Sequence, residues 1–247
     1  MVDIYTQPEL YDAIHSKYEW DYKLLKSIAK DTGDPVLELA SGTGRLTQQI
    51  IDLGYHYTGI DKSYEFLSFA KNKYKRFNDS VQFIYSDIRS FKLEKKFSFV
   101  FIGFNSFLHL LTNSDAIRCL NCVYEHLKND GKFFLSIFKP NPEFLYRDKD
   151  RYYPATDIFE FNGYRCRIME MNDYDEYTQI NRLTWRLEEN NNLMEDEFKF
   201  SMKMYYPHEI DILLDKTGFI IEKKMGDNEG SLMSEETELQ IYVCSRA

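Results

Sequence analysis

The sequence is poor in features that would assign it to a specialised class of protein. Its 247 residues hold only 4 cysteines (positions 119, 122, 166 and 244), whereas a secreted disulfide framework is short and rich in cysteine. No apolar run approaches the roughly 18–20 residues that a membrane span needs. The first residues also lack the basic and then apolar segments of a secretory signal. We therefore expect a cytoplasmic protein with no membrane partner.

Positive charge is scarce as well. The 31 lysines and arginines are outnumbered by 40 aspartates and glutamates, which gives a formal net charge of -9 at pH 7. Because nucleic-acid binding needs clustered Lys and Arg to neutralise phosphates, this balance argues against a nucleic-acid partner. Aromatic side chains are in excess, at 16% of the residues with 19 Tyr and 19 Phe. Many of them lie in the predicted N-terminal helix, around residues 101–107 and on the strands predicted between residues 145 and 206, and we interpret these as the lining of a dry pocket for a small-molecule substrate.

The apolar pattern predicts strands that alternate with helices, in a chain of about the length of one large domain with an insertion. Strands are predicted over 36–39, 55–60, 81–85, 97–104, 132–138, 219–225 and 239–245. Helices are predicted over 8–30, 45–53, 64–74, 114–127 and 207–216. This order is typical of an α/β fold with a doubly wound, Rossmann-like and mostly parallel sheet of seven strands.

Between residues 145 and 206 the pattern changes to a period of two. Asn162-Gly163 separates two such segments and is a strong signal for a two-residue hairpin turn. Two further alternating segments, 178–187 and 197–206, are joined by a predicted turn at 188–192. We expect an antiparallel sheet of about four strands, inserted as a lid at 145–206 between the two parts of the α/β domain, 1–144 and 207–247.

The most informative segment follows the first predicted strand and reads Leu37-Glu38-Leu39-Ala40-Ser41-Gly42-Thr43-Gly44-Arg45. Small residues let the backbone turn tightly and approach a ligand, and the next helix directs free N–H groups at it. Asp61 and Asp87 end the second and third strands, where carboxylates can accept from ribose hydroxyls and from an adenine amine. The alternative role for both acids is to cap the helices that follow. Together the three strand ends predict a site for a nucleoside-containing ligand.

Two residues argue against a dinucleotide. Thr47 occupies the third position of the G-x-G-x-x-G/A fingerprint, which calls for Gly or Ala. Glu38 lies inside the turn strand, where its charge would repel a diphosphate. An NAD(P)-dependent oxidoreductase on a Rossmann-type sheet and a non-catalytic protein that binds a nucleotide cofactor remain the two alternatives.

Three motifs carry a resemblance to a known family. The segment Glu38–Gly44 resembles the first motif of the class I S-adenosylmethionine-dependent methyltransferases, E/D-x-G-x-G-x-G, with Ala40 replacing the first glycine. Gly59-Ile60-Asp61-Lys62-Ser63 and Ser86-Asp87-Ile88 resemble the ribose and adenine motifs of that family. The inserted sheet resembles the lid of its glycine and amino-sugar N-methyltransferases. The resemblance implies S-adenosylmethionine as cofactor and methyl transfer to a nitrogen or oxygen nucleophile of a small molecule.

The resemblance also implies a role for each matching position. The glycine turn would line the methionine part of the cofactor, the acids at the strand ends would hold its ribose and adenine, and the end of the fourth strand would face the sulfonium. The implied cofactor contacts are Glu38, Ala40, Gly42, Gly44, Asp61, Lys62, Asp87, Ile88 and Phe104.

Three residues are candidates for the chemistry, namely His109, Asn105 and Tyr11. His109 follows the fourth strand closely and can accept a proton near neutral pH, although a structural hydrogen bond is an equal alternative. Asn105 would face the substrate. Tyr11 and Tyr5 could cover the cofactor, and ordinary helix packing is the alternative for both.

Two other features of the sequence could carry chemistry. The pair Cys119-x-x-Cys122 has no second ligand pair nearby and falls within a predicted helix, so no metal is expected. Six arginines of the insertion could contact an acidic substrate, although a solvated sheet face is the commoner reason for such alternation; they are Arg147, Arg151, Arg165, Arg167, Arg182 and Arg186. A monomer or a homodimer is expected.

Overall fold

A computed structural model describes residues 3–247 of the protein. In chain order its strands are β1 (Val36–Leu39), β2 (Tyr57–Asp61), β3 (Val81–Tyr85), β4 (Phe97–Ile102), β5 (Leu127–Phe138), β6 (Tyr153–Pro154), β7 (Phe159–Phe161), β8 (Tyr164–Asp175), β9 (Ile180–Glu189), β10 (Asn192–Lys203), β11 (Phe219–Met225) and β12 (Leu239–Arg246). The α-helices are α1 (Pro8–Ile14), α2 (Tyr22–Thr32), α3 (Thr47–Ile51), α4 (Tyr64–Lys73), α5 (Asn113–His126), α6 (Pro142–Leu145) and α7 (Pro207–Lys216).

Seven strands form the first sheet, in the order β11-β12-β5-β4-β1-β2-β3. Strands β1 to β5 run parallel, whereas β12 pairs antiparallel with both β5 and β11. Strand β1 is central and pairs with β2 on one side and β4 on the other, so the chain changes direction of winding there. The predicted doubly wound, Rossmann-like sheet is confirmed, and the ends of β1 and β4 border the crevice where such sheets bind ligands.

The central strands are buried on both faces because helices cover each side of the sheet. Every residue of β1, β2 and β4 is buried. Successive residues enter different apolar clusters, since Val36 packs in the cluster with α2 and α4 while Leu37 packs in the one with α5 and α7. This alternation explains why these strands read as continuous apolar runs in the sequence.

The second sheet is antiparallel and has five strands, in the order β10-β9-β8-β6 with β7 also paired to β8. The predicted number was about four, because the two-residue strand β6 is too short to leave a periodic signal. Asn162 and Gly163 form the β7–β8 turn with φ values of 51° and 80°, as the Asn-Gly signal predicts. The β9–β10 turn is tighter than predicted, with Asn190 and Asn191 at φ values of 48° and 67°.

The helix predicted over 8–30 is wrong in its continuity. It is divided into α1 and α2. The segment between these helices is held by Arg45, which directly follows the glycine turn at residues 40–44. Arg45 Nη1 donates to the Tyr18 carbonyl at 2.7 Å and to Asp21 Oδ1 at 2.9 Å. These long-range bonds satisfy backbone and side-chain groups outside the helix, and they override a local period that would continue it. The helix predicted over 45–53 is likewise shorter, at Thr47–Ile51.

The fifth strand begins at Leu127 rather than at 132, directly after α5. Leu127 pairs with Phe97, and after an irregularity Lys132 pairs with Phe99. A Cβ on Gly131 would lie 2.9 Å from the Ser98 carbonyl oxygen, so this glycine permits the close approach of β4. Within residues 3–247 no helix is long and apolar enough to cross a membrane.

Candidate active site

A cavity of about 500 Å³ lies between the carboxyl edge of the first sheet and one face of the second. Its lining comes from the N-terminal segment, from the loops after β1, β2, β3 and β4, and from strands β8, β9 and β10. Ten of the predicted site residues line it: Tyr11, Ala40, Gly42, Asp61, Lys62, Asp87, Ile88, Phe104, Asn105 and His109. Glu38 and Gly44 are not among the lining residues.

The glycine turn (residues 40–44) brings its backbone to the cavity through three left-handed residues. Ala40, Gly42 and Gly44 have φ values of 55°, 55° and 75°. The first two border the cavity, but Gly44 faces the packed side of the turn, where an added Cβ would lie 3.0 Å from Thr47 Oγ1 and 3.0 Å from the Tyr74 ring. Its predicted contact with the cofactor is therefore not supported, and Gly44 serves the packing of the turn instead.

Glu38 lies beneath the glycine turn rather than in the cavity. The Tyr57 hydroxyl donates to its Oε2 at 2.5 Å, which links β1 to β2. Burial raises the pKa of Glu38 to about 8, although the bond from Tyr57 and the nearby Arg45 both favour the charged form. The prediction that Glu38 orients the cofactor directly is not supported by this position, because the side chain points into the interior of the sheet.

Asp61 joins the turns that follow β1 and β2. Its Oδ2 accepts from the Gly42 N–H at 2.8 Å, and its Oδ1 accepts from the Ser63 N–H at 2.8 Å. Burial raises its pKa, while these backbone bonds and Lys62 act in the opposite direction. Each carboxylate oxygen keeps a further lone pair, so Asp61 can still accept from two adjacent hydroxyl groups in the cavity.

Asp87 is paired with a residue that the sequence reasoning missed. Arg89 donates from Nε to Asp87 Oδ1 at 2.9 Å and from Nη2 to Asp87 Oδ2 at 2.5 Å, and this pairing lowers the pKa of Asp87. Arg89 also lies 3.3 Å from Asp115 and itself lines the cavity. In the sequence, this pairing is signalled only by the position of Arg89, two residues after Asp87 and opposite to it in charge. The adenine contact of Asp87 stays a prediction.

Phe104 and Asn105 form an unusual turn after β4, with φ values of 54° and 66°. Asn105 Oδ1 accepts from the Phe138 N–H at 2.7 Å, which ties the end of β5 to this turn. The Phe104 ring lies 4.4 Å from the Arg45 guanidinium and 5.9 Å from the Trp20 ring, with the two rings stacked. The turn therefore presents Phe104 to the cavity within a cluster of residues from the N-terminal segment.

His109 ends a 3₁₀ turn at Ser106–His109 and contacts Tyr5 across the cavity wall. Its Nε2 lies 2.9 Å from the Tyr5 hydroxyl oxygen. Burial and the charge of Lys62 lower the pKa of His109 to about 4, against a smaller opposing contribution from a hydrogen bond with the Ser201 backbone. Burial raises the pKa of Tyr5. Both groups are consequently neutral near pH 7.

The N-terminal segment is fastened over the glycine turn. Ser63 Oγ donates to the Tyr5 carbonyl at 2.7 Å, and Thr43 Oγ1 donates to Asp12 Oδ1 at 2.8 Å. Tyr11 packs between these bonds, with its ring centroid 4.8 Å from that of Phe66, and burial raises its pKa to about 12. The arrangement is compatible with the predicted covering of a cofactor, and that role stays a prediction.

The second sheet supplies the opposite wall of the cavity. Leu183, Trp185, Phe200 and Met202 give it an apolar and aromatic surface. Among the six arginines of the insertion, Arg147 alone lines the cavity, where its Nη2 lies 2.7 Å from Glu170 Oε1. Arg167, Arg182 and Arg186 form ion pairs with neighbouring acidic residues outside the cavity lining.

Residues 36–131 match the model of a protein family that is described as a methyltransferase domain. This stretch contains the glycine turn, Asp61, Asp87 and the turn after β4. The resemblance to the class I S-adenosylmethionine-dependent methyltransferases is confirmed. The predicted cofactor, S-adenosylmethionine, is confirmed with it.

Two curated relatives and one solved structure illustrate what this chain is similar to. The methyltransferase YqeM of Bacillus subtilis, itself a provisional assignment, is 30% identical over 152 residues, which cover 57% of this chain and 61% of that protein. The glycine/sarcosine N-methyltransferase of Aphanothece halophytica is 29% identical over 113 residues, or 45% of this chain and 43% of that one. The chain thus spans less than two thirds of either relative.

A solved S-adenosylmethionine-dependent methyltransferase from Clostridium acetobutylicum has the same fold. It superposes with a TM-score of 0.78 over 96% of this chain and 96% of its own, at 17% sequence identity. The alignment covers the second sheet as well as the first, because neither sheet alone could account for that share of the chain.

Proposed function

We propose that this chain transfers the methyl group of S-adenosylmethionine to a nitrogen or oxygen nucleophile of a small-molecule acceptor. The observation that carries the proposal is the continuity of the cavity: the glycine turn and Asp61 lie at one end, and the aromatic wall of the second sheet lies at the other. A methyl donor and its acceptor must meet in line and away from water, and one shared cavity supplies that arrangement.

The residues at the sheet edge fit the cofactor. The Ala40–Gly42 backbone borders the cavity without a bulky side chain, and Asp61 offers two carboxylate oxygens to the hydroxyls of a ribose. Ile88 and Asp87 lie at the end of β3 beside them, where an adenine would be held. When bound, S-adenosylmethionine supplies a methyl group that its sulfonium has already activated.

The acceptor half suits a small molecule. The whole cavity of about 500 Å³ falls in the ordinary range for small-molecule and cofactor sites, and the cofactor takes part of it. The relative from Aphanothece halophytica is named for action on glycine and sarcosine, which are small amines. Trp185 and Phe200 close this half with apolar surface that excludes water.

The His109–Tyr5 pair bears on the proton that the nucleophile must lose. An imidazole with a pKa of about 4 is a weak base, so the nucleophile is expected to react in its neutral form. His109 then acts mainly by fixing the Tyr5 hydroxyl at the wall between the two halves, and Tyr5 and Tyr11 cover the cofactor. Asn105 acts through the turn that presents Phe104.

The alternative function, an NAD(P)-dependent oxidoreductase, has no specific support. None of the matches described above is one, and Thr47, at the third position of the dinucleotide fingerprint, is fully buried in helix α3. A non-catalytic cofactor-binding protein would differ from this function only in lacking turnover.

We also propose that the chain is divided into an α/β domain, 1–144 with 207–247, and a lid, 145–206. We propose a cytoplasmic location, and a monomer or homodimer without a nucleic-acid partner.

Calorimetry and a turnover screen test the proposal. S-adenosylhomocysteine should bind in the micromolar range or more tightly, and NAD should not bind. Methyl transfer from labelled S-adenosylmethionine should then be measured across panels of amine, hydroxyl and carboxylate metabolites. Tight binding of NAD in place of S-adenosylhomocysteine would overturn the cofactor assignment, and binding without turnover on any panel would favour the non-catalytic alternative.

A further inference from the structure

The inner face of the second sheet is apolar except at one end. Side chains of alternate residues on β8, β9 and β10 point to the same face, and most of them on this face are Ile, Leu, Trp, Phe or Met. Glu170, Asn172 and Asn181 break the pattern, although all three are buried. Proteins tend to place polar residues at positions where the alternating pattern calls for apolar ones at their functional sites, even though this costs stability.

Hydrogen bonds fix how the two amides of this polar cluster (Arg147, Glu170, Asn172, Asn181) are oriented. The Arg147 Nε donates to Asn172 Oδ1, and a guanidinium can only donate. Asn172 Nδ2 therefore donates in the other direction, to Asn181 Oδ1 at 3.1 Å and to the Leu145 carbonyl at 3.3 Å. Asn181 Oδ1 is thus the acceptor, and its Nδ2 must point away from Asn172.

Asn181 Nδ2 is buried and has no hydrogen-bond partner, while Asn181 lines the cavity. The residue itself is 0% exposed. The other buried side-chain atoms without a partner, among the residues that the structure describes, belong to residues that do not line the cavity. A buried donor without a partner is unfavourable, so a group in the cavity is expected to accept from it.

Building on the proposed methyl transfer, we propose that Asn181 selects methyl acceptors that carry an uncharged oxygen, which accepts a hydrogen bond from Asn181 Nδ2. Asn181 is a specificity-determining residue in this assignment, since it contacts the acceptor molecule away from the reacting atoms. The acceptors are small molecules with an ether, carbonyl or hydroxyl oxygen flanked by apolar surface.

The charges around the polar cluster favour an uncharged oxygen over a carboxylate. The Arg147 guanidinium is matched by Glu170 at 2.7 Å, and the other oxygen of Glu170 accepts from Trp185 Nε1 at 2.7 Å. Because the one cation of the cluster is already neutralised, no surplus positive charge remains for an anionic substrate. The adjoining wall is formed by Leu183, Trp185 and Phe200, which suit the carbon frame of a ring.

A matched pair of amines tests the assignment in the unmodified protein. Tetrahydropyran-4-amine and cyclohexylamine differ by one ring oxygen, and their ammonium groups can only donate hydrogen bonds. Both are titrated by calorimetry and ligand-observed NMR, with and without saturating S-adenosylhomocysteine. We expect the ether to bind about 10-fold or more tightly than cyclohexylamine, the scale expected for pairing a buried donor.

Two variants of Asn181 locate the source of this preference. Asn181→Asp keeps an oxygen that accepts from Asn172, replaces the donor in the cavity by an acceptor and adds a carboxylate charge, which acts on both amines alike. Asn181→Leu removes both the oxygen and the donor. Either variant should abolish the preference for the ether, whatever it does to the affinity of both amines together. Asn121→Asp, the same change at an exposed position of α5, should leave the preference intact.

Several results would overturn the assignment. One is equal affinity of the two amines for the unmodified protein, which is expected if a water molecule accepts from Asn181. The others are failure of the ether to bind and a preference for the ether that survives Asn181→Asp. If the variants do not fold, the comparison in the unmodified protein still decides. If the unmodified protein prefers the ether but does not bind S-adenosylhomocysteine, the methyltransferase proposal is contradicted, while Asn181 remains a ligand contact.

Discussion

The two ends of the cavity are built in different ways. At the cofactor end, the glycine turn and the β2 loop form the wall largely with backbone, and Asp61 is held by N–H groups from both. At the acceptor end, side chains from β8, β9 and β10 form the wall, and they are held by side-chain bonds such as those of Glu170 and Asn172. The first construction depends on turn geometry and the second on residue identity.

This difference predicts a separation of effects. Substitutions at the cofactor end should change cofactor affinity and leave the discrimination between acceptors unaltered, whereas substitutions at the acceptor end should do the reverse. His109 and Tyr5 lie between the two ends, because Tyr5 contacts both Phe66 near the glycine turn and Phe200 on β10.

The largest effect is expected from Asp61→Ala. The variant loses the acceptor for the cofactor hydroxyls and frees the N–H groups of Gly42 and Ser63. Because hydrogen bonds to charged groups contribute about 1.5–3 kcal/mol each, the affinity for S-adenosylhomocysteine should fall by about 3 kcal/mol, or roughly 100-fold. Calorimetry measures this directly, with the exposed Asp79→Ala as control. An unchanged affinity would remove Asp61 from the cofactor site.

His109→Ala tests the boundary between the two ends. Turnover should fall by roughly 10- to 100-fold, the loss of one well-placed hydrogen bond, while affinity for S-adenosylhomocysteine is retained. Tyr5→Phe should produce a similar loss, and the double variant should lose little more than either single one, because both remove the same contact. The exposed His208→Ala is the control. Full activity of His109→Ala would assign His109 a structural role only.

Glu38 gives the cofactor end a response to pH. Its pKa of about 8 in the folded protein lies above the ordinary value of 4.5, so the fold favours the protonated form. That contribution to stability is complete below about pH 4.5 and is lost as the pH rises through 8. Between about pH 6.5 and 9 the unfolding free energy should decline by on the order of 2 kcal/mol more than in Glu38→Gln.

Chemical denaturation across this range makes the measurement, and Glu38→Gln keeps an oxygen that accepts from Tyr57. The exposed Glu94→Gln is the control. Parallel pH profiles of the unmodified protein and Glu38→Gln would contradict the burial argument. Acceptor discrimination should not follow this profile, since Glu38 lies outside the cavity.

The same difference explains how much could be predicted from the sequence. The cofactor end depends on signals within a few residues, such as the glycine turn and acids at strand ends, and the structure brings most of those residues to one cavity. Two residues of that motif do not line the cavity, because the Glu38 side chain is bonded to Tyr57 within the sheet and Gly44 lies on the packed side of the turn. Strand periodicity predicted the second sheet but not the direction of Arg147 or the pairing of Asn181. Those depend on which side chains meet across the sheet, nine positions apart for Asn172 and Asn181 and 23 to 25 positions apart for the contacts of Arg147, and strand periodicity does not encode such pairings.

The smallest effect is expected at Ala40, where the family pattern has glycine. Its φ of 55° is left-handed, which costs an L-residue with a Cβ about 1–2 kcal/mol, whereas glycine adopts it freely. Glycine also loses more entropy on folding, so Ala40→Gly should stabilise the protein by only about 0.5–1 kcal/mol. The midpoint of thermal unfolding measures this.

Ala70→Gly, within helix α4, is the control of opposite sign and should destabilise the protein by about 1 kcal/mol. Cofactor affinity should be unchanged, because the backbone of residue 40 already has the conformation that glycine would adopt. A destabilised Ala40→Gly would show that the Ala40 methyl group makes packing contacts that outweigh the backbone strain.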